Sequence, residues 1–268
     1  MKVAIVGMGV VGQAYSKMFP EAVKYDPFID EYKSTTKDDV NACDVALVAV
    51  FTPYKEDGSL DISIVEEVVD WIECPLILIK SALQPGTVDY LVKKTGKRIA
   101  VSVELIGEGK YYQPDHKYPS QSNPKKHQYI VVGGELDVAE EAAELLWSRM
   151  SPDIKIHLVT ALEAELTKLA ENTYGALKVT WANVLRDVCD KFGVSFVRVH
   201  QAWSEDGRVD GMHTRSVSFN RGWKSKCYSK DCVAFTNLSG SKMLEGMIED
   251  NERHYGLTNE GSPYEFNK

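Results

Sequence analysis

Two groups of residues in this chain have the types and spacing that chemistry needs. Gly7-Met8-Gly9-Val10-Val11-Gly12 is a G-x-G-x-x-G run, placed directly after a short β-branched segment and at the start of a helical pattern. In that context the first glycine makes a tight turn, the second lets backbone approach a pyrophosphate, and the third lets helix and strand pack closely. The helix N-terminus adds backbone N–H groups and positive potential for phosphates. Cofactor contacts are therefore expected at Gly7, Gly9, Val11 and Gly12. Asp26 ends the second apolar segment, 14 residues beyond Gly12 (26 − 12), where a carboxylate accepts hydrogen bonds from adenosine ribose hydroxyls. Pro27 and Phe28 follow it instead of an arginine. A 2′-phosphate would meet repulsion there, so the pattern favours NAD over NADP.

The second group surrounds Cys227, which lies among Lys224, Lys226 and Lys230. Nearby cations lower a thiol pKa and raise the thiolate fraction, so Cys227 is a candidate nucleophile. Lys168 and Asn172 are spaced i, i+4 and project from one face of a helix. Most such pairs are simply a solvated face. Glu104 and Glu108 follow the end of a strand, the edge where open α/β sheets bind ligands; by composition alone a charged surface loop reads equally well.

These residues need a scaffold, and the sequence describes one. Short β-branched runs recur at Val3–Val6, Ala22–Tyr25, Val45–Val50, Leu76–Ile79, Ile99–Val103 and Tyr129–Val132. Each reads as a strand buried on both faces, as a parallel sheet requires. Helical patterns at Ile62–Ile72 and Val138–Met150 alternate with them, which predicts an N-terminal Rossmann domain with a doubly wound parallel sheet over residues 1–160. After Thr160 the pattern changes. Ala161–Phe192 has no proline and one internal glycine, and it reads as a long helix opening an all-helical domain over 161–268. Further helices are expected at Phe196–Ser204 and Ser241–Tyr255, with Glu205–Asn237 as an ordered loop.

The net charge of −8 argues against sequence-independent nucleic-acid binding, which needs a basic face. No apolar run reaches the ~20 residues of a membrane span. The start of the chain runs straight into structure without a signal peptide, so the protein is expected to be cytoplasmic. Five cysteines, without a C-x-x-C pair or paired-histidine spacing, fit reduced thiols and no metal site.

Several later segments narrow the reading. Ala49-Val50-Phe51-Thr52-Pro53 with Asp57-Gly58-Ser59-Leu60-Asp61, Lys80-Ser81-Ala82 with Pro85-Gly86-Thr87, and Ser102-Val103-Glu104-Leu105-Ile106-Gly107-Glu108-Gly109 occur in that order. Glu165-Leu166-Thr167-Lys168-Leu169-Ala170-Glu171-Asn172, Asp206-Gly207-Arg208-Val209 and Cys227-Tyr228-Ser229-Lys230-Asp231 follow. In order and spacing this set resembles the UDP-glucose/GDP-mannose dehydrogenase family over almost the whole chain. That family oxidises a nucleotide-sugar alcohol to an acid with two NAD molecules in succession.

The resemblance implies roles. Cys227 would add to the aldehyde intermediate and carry the thioester that water cleaves. Lys168 and Asn172 would stabilise negative charge on the substrate oxygen. Asp231 would orient water or the base network, and Glu108 would be the base for thioester hydrolysis. Glu104 and Arg208 would contact substrate. Thr52, Ser81 and Lys230 would join the glycine motif in binding NAD. The long helix carries more apolar surface than one small domain covers, including Leu177, Val179, Trp181 and Leu185, so a homodimer through it is expected.

Three departures from the family pattern stand out. The family's further domain, which holds the nucleotide, is not expected here. Ala82 stands where the family has a threonine hydroxyl. Lys224 and Ser225, behind Trp223, stand where it has glycines. Lys224 and Lys226 are expected to grip the substrate diphosphate, with Trp223 stacking on a base or sugar. The simplest substrate is UDP-glucose. A single-step alcohol dehydrogenase on another sugar or hydroxy acid, and a catalytically degenerate binding protein, are the rival readings.

Overall fold

Val3–Val6 (β1), Val45–Val48 (β3), Leu76–Ile79 (β4) and Ile99–Ser102 (β5) are each buried at every position. Strands without a polar face must be covered on both sides, and that fact organises the first part of the molecule. The computed structural model describes residues 1–106, 123–215 and 221–255. The described residues up to Lys168 form one compact unit and those from Leu169 onward a second.

In the first unit, Val23–Tyr25 (β2), Tyr129–Gly133 (β6) and Lys155–Val159 (β7) complete a seven-stranded sheet of order β2-β1-β3-β4-β5-β6-β7. Alternate strand residues enter two separate cores. Val3, Ile5, Leu47 and Leu78 pack with helices α1 (Val10–Met18) and α5 (Leu136–Trp147) on one face. Ala4, Val6, Val48 and Ile79 pack with α3 (Ser63–Trp71) and α4 (Thr87–Thr95) on the other. A short α2 (Lys37–Asn41) begins in a capping box between Thr36 and Asp39. This is the doubly wound α/β arrangement that the sequence predicts.

The sheet departs from the expected one in two places. β6 runs antiparallel to β5, pairing Ser102 with Val132. A parallel pair needs a crossover element, and the described residues between β5 and β6 hold only the short 3-10 turn Pro124–Lys126. β7, which follows α5 and is parallel to β6, was not expected. Four of its five residues are exposed, so this edge strand has no buried run to betray it.

The long helix α6 (Ala161–Lys191) starts where expected. Its start is fixed by a reciprocal cap: the Thr160 N–H and hydroxyl donate to the Glu163 carboxylate at 2.8 Å, and the Glu163 N–H donates back to Thr160 Oγ1 at 3.3 Å. The boundary between the two units falls inside this helix. The second unit adds α7 (Phe196–Ser204), α8 (Lys226–Ser239) and α9 (Lys242–His254). α8 corrects the expectation of a loop through Asn237. Its sequence is polar enough to look like loop, but Ser225 caps it by accepting from the Tyr228 N–H, and Cys232 and Ala234 are buried along it.

Candidate active site

The glycine loop has the geometry of a phosphate cradle. Gly7 takes φ +93°, and its N–H donates to Tyr25 O across the sheet at 2.9 Å. A Cβ at Gly12 would sit 2.0 Å from the Gly7 carbonyl oxygen, so only glycine lets α1 begin this close to β1. α1 is capped by Gly9 without a side-chain hydrogen bond, and a Cβ at Gly9 would meet nothing within 4 Å. Its first-turn N–H groups, Val11 included, therefore face open space at the positive end of a helix.

Asp26 stands at the end of β2, accepting from the Met8 N–H at 2.9 Å and from the Phe28 N–H at 3.0 Å. The carboxylate is thereby locked beside the glycine loop, with lone pairs left for ribose hydroxyls. Thr52 donates to Ala82 O at 2.8 Å and Ser81 to Val50 O at 2.7 Å, tying the carboxyl ends of β3 and β4 together. This set of residues fits a dinucleotide.

Next to it, at the carboxyl ends of β4 and β5, lies a pocket lined by Lys80, Ser81, Ser102, Glu104, Glu165 and Lys168. The structure brings Glu104 and Lys168 together: the Lys168 ammonium donates to Glu104 O at 2.6 Å and lies 3.3 Å from the Glu104 carboxylate. The other Glu104 oxygen accepts from the Ile106 N–H at 2.8 Å. Glu104 is thus an internal partner of Lys168, a relationship no spacing in the sequence announces.

Glu165 reaches from α6 to the start of α4, accepting from the Gly86 N–H at 2.5 Å and the Val88 N–H at 2.9 Å. Burial pushes it up to about 7 despite those donors. Lys80, which the sequence shows only as part of the Lys80-Ser81-Ala82 motif with no role of its own, and His127 also join the cluster. Both are almost fully buried. Lys80 simply follows the apolar run of β4, and only its burial reveals it.

In the second unit, Asp231 is fully buried and accepts two charge-assisted hydrogen bonds, from the Asn172 side chain and the Lys230 ammonium, each at 2.6 Å. Cys227 lies on the same helix, second in its first turn, where the macrodipole stabilises a thiolate. Of the five cysteines, Cys227 alone is not buried. Cys232, one turn on, is pushed up to about 12 by burial and is inert by comparison. Tyr228 beside Cys227 shares a 3.2 Å hydrogen bond with His213, another pair that the sequence did not single out.

The other residues expected at the site are placed as follows. Arg208 is exposed and paired with Asp206 two residues earlier. Lys224 lies over the Tyr255 ring at 4.9 Å. Trp223 was expected to stack on substrate and does not: it is buried in the helical core with Cys232 and Leu244, and its indole N–H donates to Thr180 Oγ1 at 2.9 Å. An indole whose one donor is satisfied inside a core has no face to offer. Glu108, and the side chain of Lys226, lie outside the described residues.

Comparison with known proteins identifies the family. Residues 26–151 match the NAD binding domain of the UDP-glucose/GDP-mannose dehydrogenase family, and residues 162–253 match that family's central domain. The UDP-glucose 6-dehydrogenase of Rickettsia typhi is 26% identical over 261 residues, covering 90% of this chain and 57% of that protein. The corresponding enzyme of Haloferax volcanii is 26% identical over 248 residues, covering 83% of this chain and 56% of that one. The chain thus spans a little over half the length of these curated relatives. Among solved structures, the UDP-D-ManNAc dehydrogenase of Pyrococcus horikoshii superposes with a TM-score of 0.76 at 21% identity, over 95% of this chain and 69% of that one. A UDP-glucose dehydrogenase from Pyrobaculum islandicum gives 0.71 at 22%, over 94% and 68%. At such identities the structural likeness is one of fold.

Proposed function

Because this chain belongs to the UDP-glucose/GDP-mannose dehydrogenase family, we propose that it oxidises a nucleotide sugar with NAD, most simply UDP-glucose to UDP-glucuronate. The observation that carries the reading is the buried Asn172–Asp231–Lys230 network on the helix whose first turn presents Cys227. A paired buried carboxylate is weak evidence for stability and a frequent mark of a functional site, and this one lies about one turn along α8 from the accessible cysteine.

NAD, when bound, supplies the hydride acceptor. The chain's own residues do the rest. Gly7, Gly9, Val11 and Gly12 bind the pyrophosphate, Asp26 the ribose, and Thr52, Ser81 and Lys230 add polar contacts. Lys168 and Asn172 stabilise the substrate oxygen as it gains negative charge. The Cys227 thiolate adds to the aldehyde carbon, forming a C–S bond, and water later cleaves the resulting thioester, with Glu108 as base and Asp231 orienting the network. Glu104, Arg208, Lys224 and Lys226 complete the substrate contacts. Of the residues expected at a dimer interface, Leu177 and Val179 pack against the helical core and Trp181 is exposed; with Tyr174, Val188 and Phe192, also exposed along α6, it supports a homodimer through that helix.

Ala82 favours one alternative. It lacks the hydroxyl that the family has here, which favours the alternative of an enzyme that stops after the first oxidation. Counting NADH released per UDP-glucose separates the readings. Two NADH, with the second lost in Cys227→Ser, supports the four-electron reaction, and one in both proteins supports the single-step enzyme. None, with NAD bound, refutes oxidation of this sugar.

A further inference from the structure

Two ammonium groups stand in the first unit's pocket beside a single ion-paired carboxylate. Lys168 takes Glu104 as its partner. Lys80 is left with neutral groups: its ammonium donates to Ser102 Oγ at 2.9 Å and Val103 O at 3.3 Å, and it lies 4.6 Å from the Tyr15 ring centroid. It is 1% exposed. A buried lysine without a carboxylate holds its proton weakly, and burial pushes Lys80 down to about 7 against the pull of Glu104, with Lys168 adding to the fall.

Two of the groups around it, Tyr15 and His127, are poor proton acceptors. Burial, then Glu104, raises the Tyr15 hydroxyl far above its usual range. Burial and the two lysines push His127 down to about 4, and its Nε2 is buried with no hydrogen-bond partner among the described residues. Lys80 and Glu165 both hold a proton near neutral pH here, but the Glu165 oxygens are taken by the Gly86 and Val88 N–H groups, whereas Lys80 is hydrogen-bonded to a hydroxyl that lines the pocket. The hydroxyl it touches, Ser102, lines the same pocket as Glu104 and Lys168.

We propose that Lys80 accepts the proton released in the alcohol oxidation described above, with the Ser102 hydroxyl relaying it. The inference rests on that reading of the function. The substrate O–H bond breaks as the carbinol carbon loses hydride to NAD. Ser102 takes the substrate proton on Oγ and passes its own to the neutral Lys80 amine, forming the ammonium. Lys168 remains charged beside the oxygen throughout. Lys80 then returns its proton to solvent before the next turnover. A base of this strength near the working pH is what proton abstraction requires.

The test has two arms. In the first, the His127 ring signal is followed by NMR as pH is varied, with the whole chain and no substrate. His127 senses both lysines, so an inflection near pH 7 in the wild type that vanishes in Lys80→Met is expected. Ser102→Ala keeps the lysine and removes one acceptor of its charged form, so it should move that inflection to lower pH even if Lys80→Met fails to fold. No inflection in the wild type, or one unaffected by either substitution, overturns the proposal.

In the second arm, wild-type kcat should rise with pH through the same inflection. Lys80→Met should lower kcat by about 100-fold or more while leaving KM for NAD unchanged. A folded Lys80→Met with wild-type kcat overturns the proposal alone. A protein that titrates as expected yet reduces NAD with no nucleotide sugar overturns the function, and the proton-acceptor role falls with it.

Discussion

Asn172 donates its side-chain N–H to the Asp231 carboxylate at 2.6 Å, joining residues 59 positions apart in a buried hydrogen bond. Lys230 holds the other carboxylate oxygen at the same distance. Asp231 thus fixes the rotamers of two side chains that the proposed reaction uses, one on α6 and one on α8.

Asp231→Asn keeps the volume and removes the charge that Lys230 was paired with. Removing one partner of a buried ion pair costs about 3–5 kcal/mol. Urea denaturation should show a loss of that order, kcat should fall by about 100-fold, and KM for NAD should rise as Lys230 loses the carboxylate that fixes it. A variant as stable as wild type would mean that Lys230 does not depend on this carboxylate.

The glycine loop separates packing from binding. Gly12→Ala forces a Cβ against the Gly7 carbonyl and should lower both the melting temperature and NAD affinity. Gly9→Ala meets no protein atom. It should fold and melt as wild type does, yet calorimetry should show NAD binding weakened by about tenfold or more, because the methyl group occupies the phosphate's approach.

Glu165 gives the first unit a pH dependence. Its folded pKa, about 7, lies above the ordinary 4.5, so burial penalises its charged form. Its contribution is fully present below the unfolded value and is lost as pH rises through the folded one. Stability measured by urea midpoint should therefore decline between about pH 4.5 and 7. Glu165→Gln, neutral throughout, should flatten that decline. An unchanged slope would assign the pH dependence to other groups.

Trp223→Phe tests the corrected role of this residue. Losing the N–H donated to Thr180 should cost about 1 kcal/mol or more in stability. KM for a nucleotide sugar should stay within about twofold. A large rise in KM without a stability change would restore the stacking role and contradict the buried placement.

The sequence by itself determined the elements whose signals are local. A buried parallel strand is an unbroken apolar run, so β1, β3, β4 and β5 were legible, as was the change to helical spacing after Thr160 that opens α6. The glycine run and Asp26 were legible because dinucleotide binding imposes fixed residue types at fixed spacing. What depends on neighbours distant in the chain was decided only by the tertiary structure. β7 is an exposed edge strand whose partner is β6, and α8 is stabilised by burial of Cys232 and Ala234 that no local pattern reveals. Trp223 looks like a binding aromatic in sequence and is a core residue because Thr180, 43 residues away, accepts its N–H. Lys80 reads as a lysine after a strand. Its weakened hold on a proton comes from burial and from the company of Ser102, Glu104 and Lys168, which only the folding of β4 and β5 beneath α6 brings together.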